Sequence, residues 1–467
     1  MMNILLDLPS ELCVEVLCRW LDLKTLVQLD SANCNHEIRS ALLRLYASSH
    51  CVVASLVEFD GKEIANWFLS RKLQISSLAI SKYSPELVKY SRSHFSSIRH
   101  VACLIPDAVK VVGMCFRNLV SLTYRSSLVA PELSDMLWWN VNLQEFRLEN
   151  VHQIDAEHFD ALCLPHLRVL SLKGTICGDE KVNAIIATTR VLQKIEIGDS
   201  IKVTDNGMIS VAQVCPQLQS FGLRALSISD GALLQLAQLC SCLTSLDLSY
   251  NRAITDLGVR AIAENLPKLR QISICYCNNL TDASIDHLTQ YRASTLEVLH
   301  ATGLPTVRVD VCIALLQKCT HLHSLSLDCD LNPHCAEVVP HMGNLHKLVV
   351  YSLLSDKALS LIAQHCKKLR KLGIYPYCRY QDDAINLEER GMHCANIFAR
   401  WNDRLYTATG LLALMEGLSL LRVLGVDEKE LKEGELTTFA QCVWQRQRPQ
   451  LVFEEDSEQL AFDVLLG

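Results

Sequence analysis

The sequence predicts an α/β solenoid, a stack of short strand–helix units. Three segments between Cys215 and Asp282 align with one another at a period near 26 residues. In each segment, apolar residues at alternate positions are followed by a Ser/Thr-Asp pair and then by apolar residues at helical spacing. Self-similarity at a period of roughly 20 to 50 residues is typical of repeat architectures, in which each unit stacks on its neighbours.

The strand of each unit is indicated by a motif such as Leu243-x-x-Leu246-x-Leu248, whose last two leucines alternate with polar residues. A period of two is the pattern of a short strand with one buried face. Neighbouring strands pack about 4.8 Å apart, whereas neighbouring helices need about 8–10 Å. The stack must therefore bend, and the sequence predicts a leucine-rich-repeat horseshoe with parallel strands on the concave side and helices on the convex side.

The helix of each unit is indicated by the Ser/Thr-Asp pair, of which Thr255-Asp256 is one example. A hydroxyl here can accept from the free N–H groups of the first turn, and an acid suits the positive helix end. Apolar residues then recur along one face of the predicted helix, which gives the helix a side to bury against its strand. In this repeat they are Val259, Ile262, Ala263 and Leu266.

The repeat region is predicted to span residues 73–426, after a linker or degenerate first repeat at residues 48–72. Its period breaks at residues 376–406, which we interpret as a long loop or an irregular repeat. Residues 427–467 are expected to cap the array, with a helix at Glu428–Gln447, a strand from Leu451 and an acidic end. Strand starts are predicted at Ile75, Ile98, Leu119, Leu143, Leu167, Leu192, Leu218, Leu243, Leu269, Leu296, Leu322, Leu345, Leu369 and Leu421.

Composition limits the kinds of partner. A hydrophobic fraction of 49% excludes general disorder, and a net charge of −7 gives no global field that attracts nucleic acid or anionic membranes. We therefore expect a protein partner, by elimination. Leu5-Leu6 is interrupted by Asp7, so we predict no signal peptide. No run approaches the roughly 20 apolar residues of a membrane span, and the expected location is the cytoplasm, the nucleus or both.

The 21 cysteines are explained by the repeat rather than by disulfides. Cys215, Cys240, Cys319 and Cys366 each stand three residues before the first strand leucine of a repeat. This position ends the preceding helix and faces the core, where a thiol packs as a small hydrophobe. We therefore predict reduced, buried cysteines.

The sequence of residues 1–47 does not fit the repeat, and its pattern predicts three short helices. Leu8-Pro9-Ser10-Glu11-Leu12 opens the first helix, with a proline early and an acid in the first turn. So few residues cannot build a large core, yet the first helix carries a strong apolar ridge, which indicates a surface for a partner. The ridge consists of Leu12, Val16, Leu17, Trp20 and Leu21.

The segment Leu8-Pro9-x-Glu11-Leu12-x-x-Glu15-Val16-Leu17-x-x-Trp20-Leu21 resembles the F-box, the helical module that docks on the Skp adaptor of Skp–cullin–F-box ubiquitin ligases. The family usually continues with a Cys-Arg-x-Trp-like stretch, of which Asn33-Cys34-Asn35-His36-Glu37 keeps only the cysteine. The alternative is that these helices merely cap the open end of the solenoid. The resemblance implies that the Skp adaptor binds Leu8, Pro9, Leu12, Val16, Leu17, Trp20, Leu21, Leu26 and Leu29.

No enzymatic motif accompanies these elements. The sequence has no glycine-rich phosphate loop, no His-Glu-x-x-His pair and no Gly-x-Ser-x-Gly elbow, so we predict neither an enzyme nor a cofactor. One group of possible zinc ligands lies close together in sequence, but its strand and core positions point in different directions, so no metal site is predicted. These residues are Cys319, His321, His323, Cys329, His334 and Cys335.

The outward positions of the strands are the predicted site for a target protein. Such a face is often only solvated, but arginine and tyrosine beside an aromatic loop are typical of protein-binding surfaces. Together with the F-box resemblance, this predicts the substrate-recognition subunit of a ubiquitin ligase; the alternative is an interaction scaffold without a ligase link. The predicted target-binding residues are Arg147, Lys173, Lys194, Arg224, His300, Tyr351, Lys371, Tyr375 and Tyr377.

Overall fold

The structure is a computed structural model of the 467-residue chain. It describes residues 52–53, 57–59, 74–81, 97–126, 133–151, 164–198, 202–304, 307–328, 331–351, 354–375, 407–421, 423–426 and 451–453. The chain divides into two compact units, Met1–Ser227 (unit 1) and Ile228–Gly467 (unit 2). The predicted helical module at residues 1–47, the segment 376–406 and the predicted helix Glu428–Gln447 lie outside the described residues.

Unit 1 alternates strands and helices, and its neighbouring strands run parallel. Strand β2 pairs with β4, pairing then continues in chain order from β4 to β10, and β1 pairs separately with β3. The strands are β1 (Val52–Val53), β2 (Val57–Phe59), β3 (Gln74–Ile75), β4 (Ser77–Ile80), β5 (His100–Cys103), β6 (Ser121–Arg125), β7 (Glu145–Glu149), β8 (Val169–Ser171), β9 (Lys194–Gly198) and β10 (Ser220–Arg224). The helices are α1 (Ala108–Cys115), α2 (Leu133–Trp139), α3 (Asp179–Ile186) and α4 (Asp205–Val214).

Unit 2 repeats the same arrangement, with parallel pairing in chain order from β11 to β18. The strands are β11 (Ser245–Asp247), β12 (Gln271–Ser273), β13 (Val298–Ala301), β14 (Ser324–Leu327), β15 (Lys347–Tyr351), β16 (Lys371–Tyr375), β17 (Val423–Val426) and β18 (Leu451–Phe453). The helices are α5 (Asp230–Leu239), α6 (Asp256–Asn265), α7 (Asp282–Arg292), α8 (Val309–Lys318), α9 (Leu331–Val338), a 3₁₀ turn (Val339–Met342), α10 (Asp356–His365) and α11 (Ala408–Gly417).

Both units have the architecture of a leucine-rich-repeat solenoid, so the predicted fold class is confirmed. Within unit 2 each helix packs against the next from α5 to α11, and the strands form a separate parallel layer. The predicted strand register is also correct from Ile98 to Leu421, because the first apolar residue of each motif is buried two residues before its strand. Leu243, Leu246 and Leu248 illustrate this, since none is more than 1% exposed. Among the described residues, no helix is long and apolar enough to cross a membrane.

The repeat cysteines pack as predicted. Cys215, Cys240, Cys319 and Cys366 are the C-cap residues of α4, α5, α8 and α10, and all four are buried. Burial raises the pKa of Cys215 and Cys319 to about 11 and that of Cys366 to about 12, so these thiols stay protonated. Among the described residues, no two cysteines are joined by a disulfide bond.

Six of the described repeats turn sharply after the strand, at the fourth residue beyond the buried residue in the strand centre. Here the backbone enters the left-handed region, for example at Tyr250 (φ 64°) and Tyr276 (φ 56°). Residues other than glycine and asparagine seldom adopt this region, so the turn constrains the sequence. The equivalent residues are Asn150, Gly174, Ala225 and Gly303.

The threonine caps connect the helix starts of neighbouring repeats. The hydroxyl of Thr281 accepts from the N–H of Ala283 and so caps α7, as predicted. Thr281 also donates its own N–H and hydroxyl to the carboxylate of Asp256, in the first turn of α6, at 2.9 and 2.7 Å. The acid therefore joins neighbouring repeats, a role that the sequence analysis missed. The equivalent pairs are Thr204 with Asp179, Thr255 with Asp230 and Thr407 with Asp356.

The third residue after each threonine cap is small because this carboxylate lies against it. A Cβ atom at Gly258 would collide with the carboxylate of Asp230 and with the side chain of Leu233. At the same place in α7, Ser284 uses its hydroxyl to donate to Asp256. Gly207 and Gly410 occupy this position in α4 and α11.

The repeats on either side of residues 376–406 are direct neighbours. Strand β16 pairs with β17, with Lys371 opposite Val423. On the helix side, Thr407 donates to Asp356 just as in consecutive repeats. The segment therefore joins the end of β16 to the start of α11, and no strand lies between β16 and β17.

Candidate protein-interaction face

The outward side chains of the strands form a surface that we call the strand face. Residues pointing to this face alternate along each strand with the buried leucines, isoleucines and phenylalanines of the core. Parallel pairing places equivalent residues of neighbouring strands side by side. The chemistry of the face therefore follows from the strand register, unit by unit.

In unit 1 the charged residues of the strand face form ion pairs with one another. Arg147 contacts Glu145 at 2.5 Å and Glu196 at 4.0 Å, and Lys194 contacts Glu196 at 2.8 Å. Burial opposes the ionisation of Glu196, but the hydrogen bond and charge of Lys194 outweigh it and lower the pKa of Glu196. A partner that bound Arg147 or Lys194 would compete with these acids. Arg125 and Glu149 form a further pair at 2.5 Å.

The other two predicted residues of unit 1 lie at the end of the strands. Lys173 is exposed just beyond β8, and Arg224 is half-buried as the last residue of β10. Arg224 stands in register with Gly198 of β9, whose lack of a side chain leaves room beside it. Both residues remain predicted target contacts.

In unit 2 the strand register brings together a different set of residues. Lys347 on β15 and Lys371 on β16 are register partners, so two like charges stand side by side. In the next outward row, His300 on β13 is the register partner of Ser326 on β14. The described residues of unit 2 supply no ion pair for Lys347 or Lys371, in contrast to the paired cations of unit 1.

The row formed by His300 and Ser326 contains buried polar atoms without partners. His300 is 7% exposed and Ser326 is fully buried, yet His300 Nε2 and Ser326 Oγ make no hydrogen bond. Burial, together with the charge of Lys347, lowers the pKa of His300 to about 3, so the ring is neutral at physiological pH. Burial and the neighbouring Lys371 likewise lower the pKa of Lys347 to about 8.

Asp328 is a buried acid just beyond β14. Its Oδ2 accepts from the N–H of Gly303 at 2.5 Å, whereas its Oδ1 has no hydrogen-bond partner. Burial raises the pKa of Asp328 to about 7, and the single bond from Gly303 only partly opposes this. Asp328 is therefore about half protonated near neutral pH.

Tyr250 and Tyr276 form an aromatic pair that the sequence analysis did not select. Their rings stack at a centroid distance of 4.8 Å, at the left-handed turns after β11 and β12. The ring of Tyr276 also lies against Gly303, where a Cβ atom would collide with it. This pair could have been predicted from the sequence, because tyrosine stands at the same turn position of two successive repeats and equivalent positions of a solenoid lie side by side.

Unit 1 exposes a second group of aromatic residues. Trp138 and Trp139 end α2 and are 59% and 48% exposed, and the guanidinium of Arg117 lies 4.1 Å from the ring centre of Trp139. Exposed tryptophan with arginine is frequent at protein interfaces. The adjacent tryptophans were visible in the sequence, but their exposure required the helix boundaries.

The remaining predicted positions are placed only in part. Tyr351 and Tyr375 end β15 and β16 and are register partners. Tyr377 and all nine residues predicted to bind the Skp adaptor lie outside the described residues.

Within the described residues, no three His, Cys, Asp or Glu side chains are grouped as a metal site. Cys319 is buried in the core, and His323 stacks on His346 at 5.8 Å.

Comparison with protein families identifies the repeat. The family described as Leucine Rich repeat matches residues 239–263, which cover the end of α5, strand β11 and most of α6. This match is to the segment in which the strand motif and the Ser/Thr-Asp cap are clearest. It agrees with the repeat architecture of unit 2.

Comparison with curated proteins and solved structures gives weaker likenesses. The chain is 22% identical to GRR1-like protein 1 of Arabidopsis thaliana over 241 residues, which are 45% of this chain and 41% of that protein. It is 29% identical over 76 residues to lysine-specific demethylase 2B of Mus musculus, which are 16% of this chain and 6% of that protein. The chain thus spans less than half the length of these relatives. A chain in the crystal structure of the Rad7 and Elc1 complex in yeast matches with a TM-score of 0.47 and 13% identity, over 93% of this chain and 95% of that chain.

Proposed function

We propose that this protein is the substrate-recognition subunit of a Skp–cullin–F-box ubiquitin ligase. In this role the N-terminal helices dock on the Skp adaptor, and the strand face holds a target protein near the ubiquitin-charged enzyme. The chain itself carries out no bond chemistry and contributes proximity. We place its action in the cytoplasm, the nucleus or both, where buried thiols such as Cys215 stay reduced.

The observation that carries this proposal is the order of two elements along the chain. A segment that resembles the F-box, from roughly Leu5 to Leu43, precedes a leucine-rich-repeat solenoid with an interaction face. A solenoid of this kind presents a long surface to a protein partner. The likeness of the chain to GRR1-like protein 1 supports the repeat-protein part of the proposal.

Capture of a purified Skp adaptor by the full-length chain tests the ligase role. Interface energy concentrates in a few buried apolar anchors, and loss of one commonly costs about 2 kcal/mol, roughly thirtyfold in affinity. The double substitution Leu8→Ala with Pro9→Ala should therefore abolish capture, whereas Ser10→Ala, at an unspecified position of the F-box pattern, should leave capture intact. The thermal unfolding of the repeats should be the same in all three chains.

The alternative is a leucine-rich-repeat scaffold with no ligase link. The departure from the F-box pattern at residues 33–37 favours it, because only Cys34 of the expected stretch is kept. In that case the unmutated chain should capture no Skp adaptor. The Leu8→Ala and Pro9→Ala substitutions should then lower the stability of the solenoid, because the helices would cap its end.

A further inference from the structure

The strand face of unit 2 contains cations and buried hydrogen-bonding atoms that no group in the described chain satisfies. Lys347 and Lys371 are half-buried and stand side by side without an acid, whereas Arg147 and Lys194 in unit 1 each have one. Two adjacent like charges on partly dehydrated positions destabilise the fold unless an anion joins them. Such an arrangement is expected where a partner supplies the anion.

The neighbouring row of the strand face places buried polar atoms beside these lysines. His300 Nε2 and Ser326 Oγ are both buried on strands β13 and β14 and both lack a partner. Lys347 is the register partner of Ser324, two residues before Ser326 on β14, so this row lies next to the lysines. Because the two polar atoms are buried, the half-exposed lysine ammonium groups are the donors that an external anion can reach.

We propose that Lys347 and Lys371 form a subsite that binds an acidic side chain of the target protein. The proposed function enters this inference only through the occupant, which we take to be the target protein of the ligase. Both lysines are half-exposed register partners, so their ammonium groups can donate hydrogen bonds to one carboxylate and neutralise its charge.

The charge balance of the site favours a carboxylate over a phosphate. His300 is neutral, Lys347 has a pKa of about 8 and so is not fully charged near neutral pH, and Asp328 two residues beyond Ser326 is partly ionised. Asp247 lies at the far end of the same row, on β11. The positive surplus is therefore small and matches a single negative charge better than the dianion of a phosphate group.

Binding of short acidic peptides to the full-length chain tests this subsite. The probe is fluorescein-labelled hexaglutamate, followed by fluorescence anisotropy, with hexaglutamine and a hexapeptide that contains phosphoserine as comparisons. We expect hexaglutamate to bind, hexaglutamine not to bind, and binding to weaken with added salt. Lys347→Gln with Lys371→Gln should weaken hexaglutamate binding about tenfold, while Lys357→Gln, on an exposed position of α10, should not change it.

A labelling experiment locates the site without a substitution. Acylation of lysines by acetic anhydride, read by mass spectrometry, should be slowed by hexaglutamate at Lys347 and Lys371 and unchanged at Lys357. The double variant should melt no lower than the unmutated chain, because it removes two neighbouring like charges.

Three outcomes would overturn the proposal: equal binding of hexaglutamate and hexaglutamine, a clear preference for the phosphoserine peptide, or unchanged affinity in the folded double variant. The ligase role is tested separately by Skp capture. A chain that binds hexaglutamate at Lys347 but captures no Skp adaptor keeps the subsite and loses the ligase role.

Discussion

Replacement of Asp256 by alanine tests the inter-repeat bonds that stabilise the helix layer. The Asp256 carboxylate accepts from the N–H and hydroxyl of Thr281, at 2.9 and 2.7 Å, and from the hydroxyl of Ser284. A hydrogen bond to a charged group contributes about 1.5–3 kcal/mol when buried. Asp256 is partly exposed, so we expect Asp256→Ala to lower the free energy of unfolding by about 2 kcal/mol in total.

Glu264→Ala is the matched control for this substitution. Glu264 is on the same helix and interacts at the exposed surface with Arg260 at 2.8 Å and with Tyr291 of α7. Exposed interactions of this type contribute little to the free energy of unfolding. Urea unfolding should therefore separate the two variants clearly. Hydrogen exchange should locate the effect, with faster exchange at the first turn of α7 in Asp256→Ala and not in Glu264→Ala.

The pH dependence gives an independent check on the same carboxylate. Burial opposes the ionisation of Asp256, but the hydrogen bonds from Ser284 and Thr281 outweigh it and lower its pKa below the ordinary value of 3.8. The folded state therefore binds this proton less readily than the unfolded chain, and the stabilisation is present above pH 3.8 and is lost as the pH falls further. The stability difference between the wild type and Asp256→Ala should shrink in that range. Equal losses in Asp256→Ala and Glu264→Ala at pH 7 would refute the bridging role.

Three further predictions concern packing and charge. Gly258→Ala should lower the melting temperature, because its Cβ would collide with the Asp230 carboxylate. Gly231→Ala in α5 is the control: its Cβ has room, so this variant should be neutral or slightly more stable. Equal melting temperatures of the two variants would contradict this prediction. Leu246→Ala should lower the free energy of unfolding by urea by about 2–5 kcal/mol, because it leaves a cavity in the core. Ser245→Ala, at the half-exposed neighbouring position, should lower it much less. If both variants lose the same free energy of unfolding, the assigned strand register is wrong. Asp328→Asn should stabilise the protein at pH 8 by up to about 4 kcal/mol. The pKa of Asp328 is raised to about 7 in the folded state, so the wild type loses stability as the pH rises from 3.8 to 7. If the stability difference between Asp328→Asn and the wild type is the same at pH 5 and pH 8, Asp328 is not the cause.

The repeat was predictable from the sequence because its signals are local. The alternation in Leu243-x-x-Leu246-x-Leu248 specifies a strand and its buried side whatever packs against it, and the Thr255 cap specifies where the next helix begins. The strand predicted from Leu451 was found as Leu451–Phe453 for the same reason.

Features that depend on two repeats at once were not predictable in this way. The bridge from Thr281 to Asp256 requires helix starts 25 residues apart to lie side by side. The small residue at Gly258 then follows from the carboxylate that lies against it, a contact that no single repeat contains. The direct pairing of β16 with β17, whose strands are separated by more than 40 residues of sequence, likewise depends on two repeats at once.

For the candidate site, the sequence alone determined which residues belong to the strand face, since outward positions follow from the two-residue period. Only the tertiary structure decided what those residues do there. Arg147 in unit 1 is neutralised by Glu145, whereas Lys347 in unit 2 stands beside Lys371 without an acid. The physical reason is that charge pairing and desolvation depend on the distance between strands and on their register. Both are set when repeats stack, and neither can be obtained from the composition of one repeat.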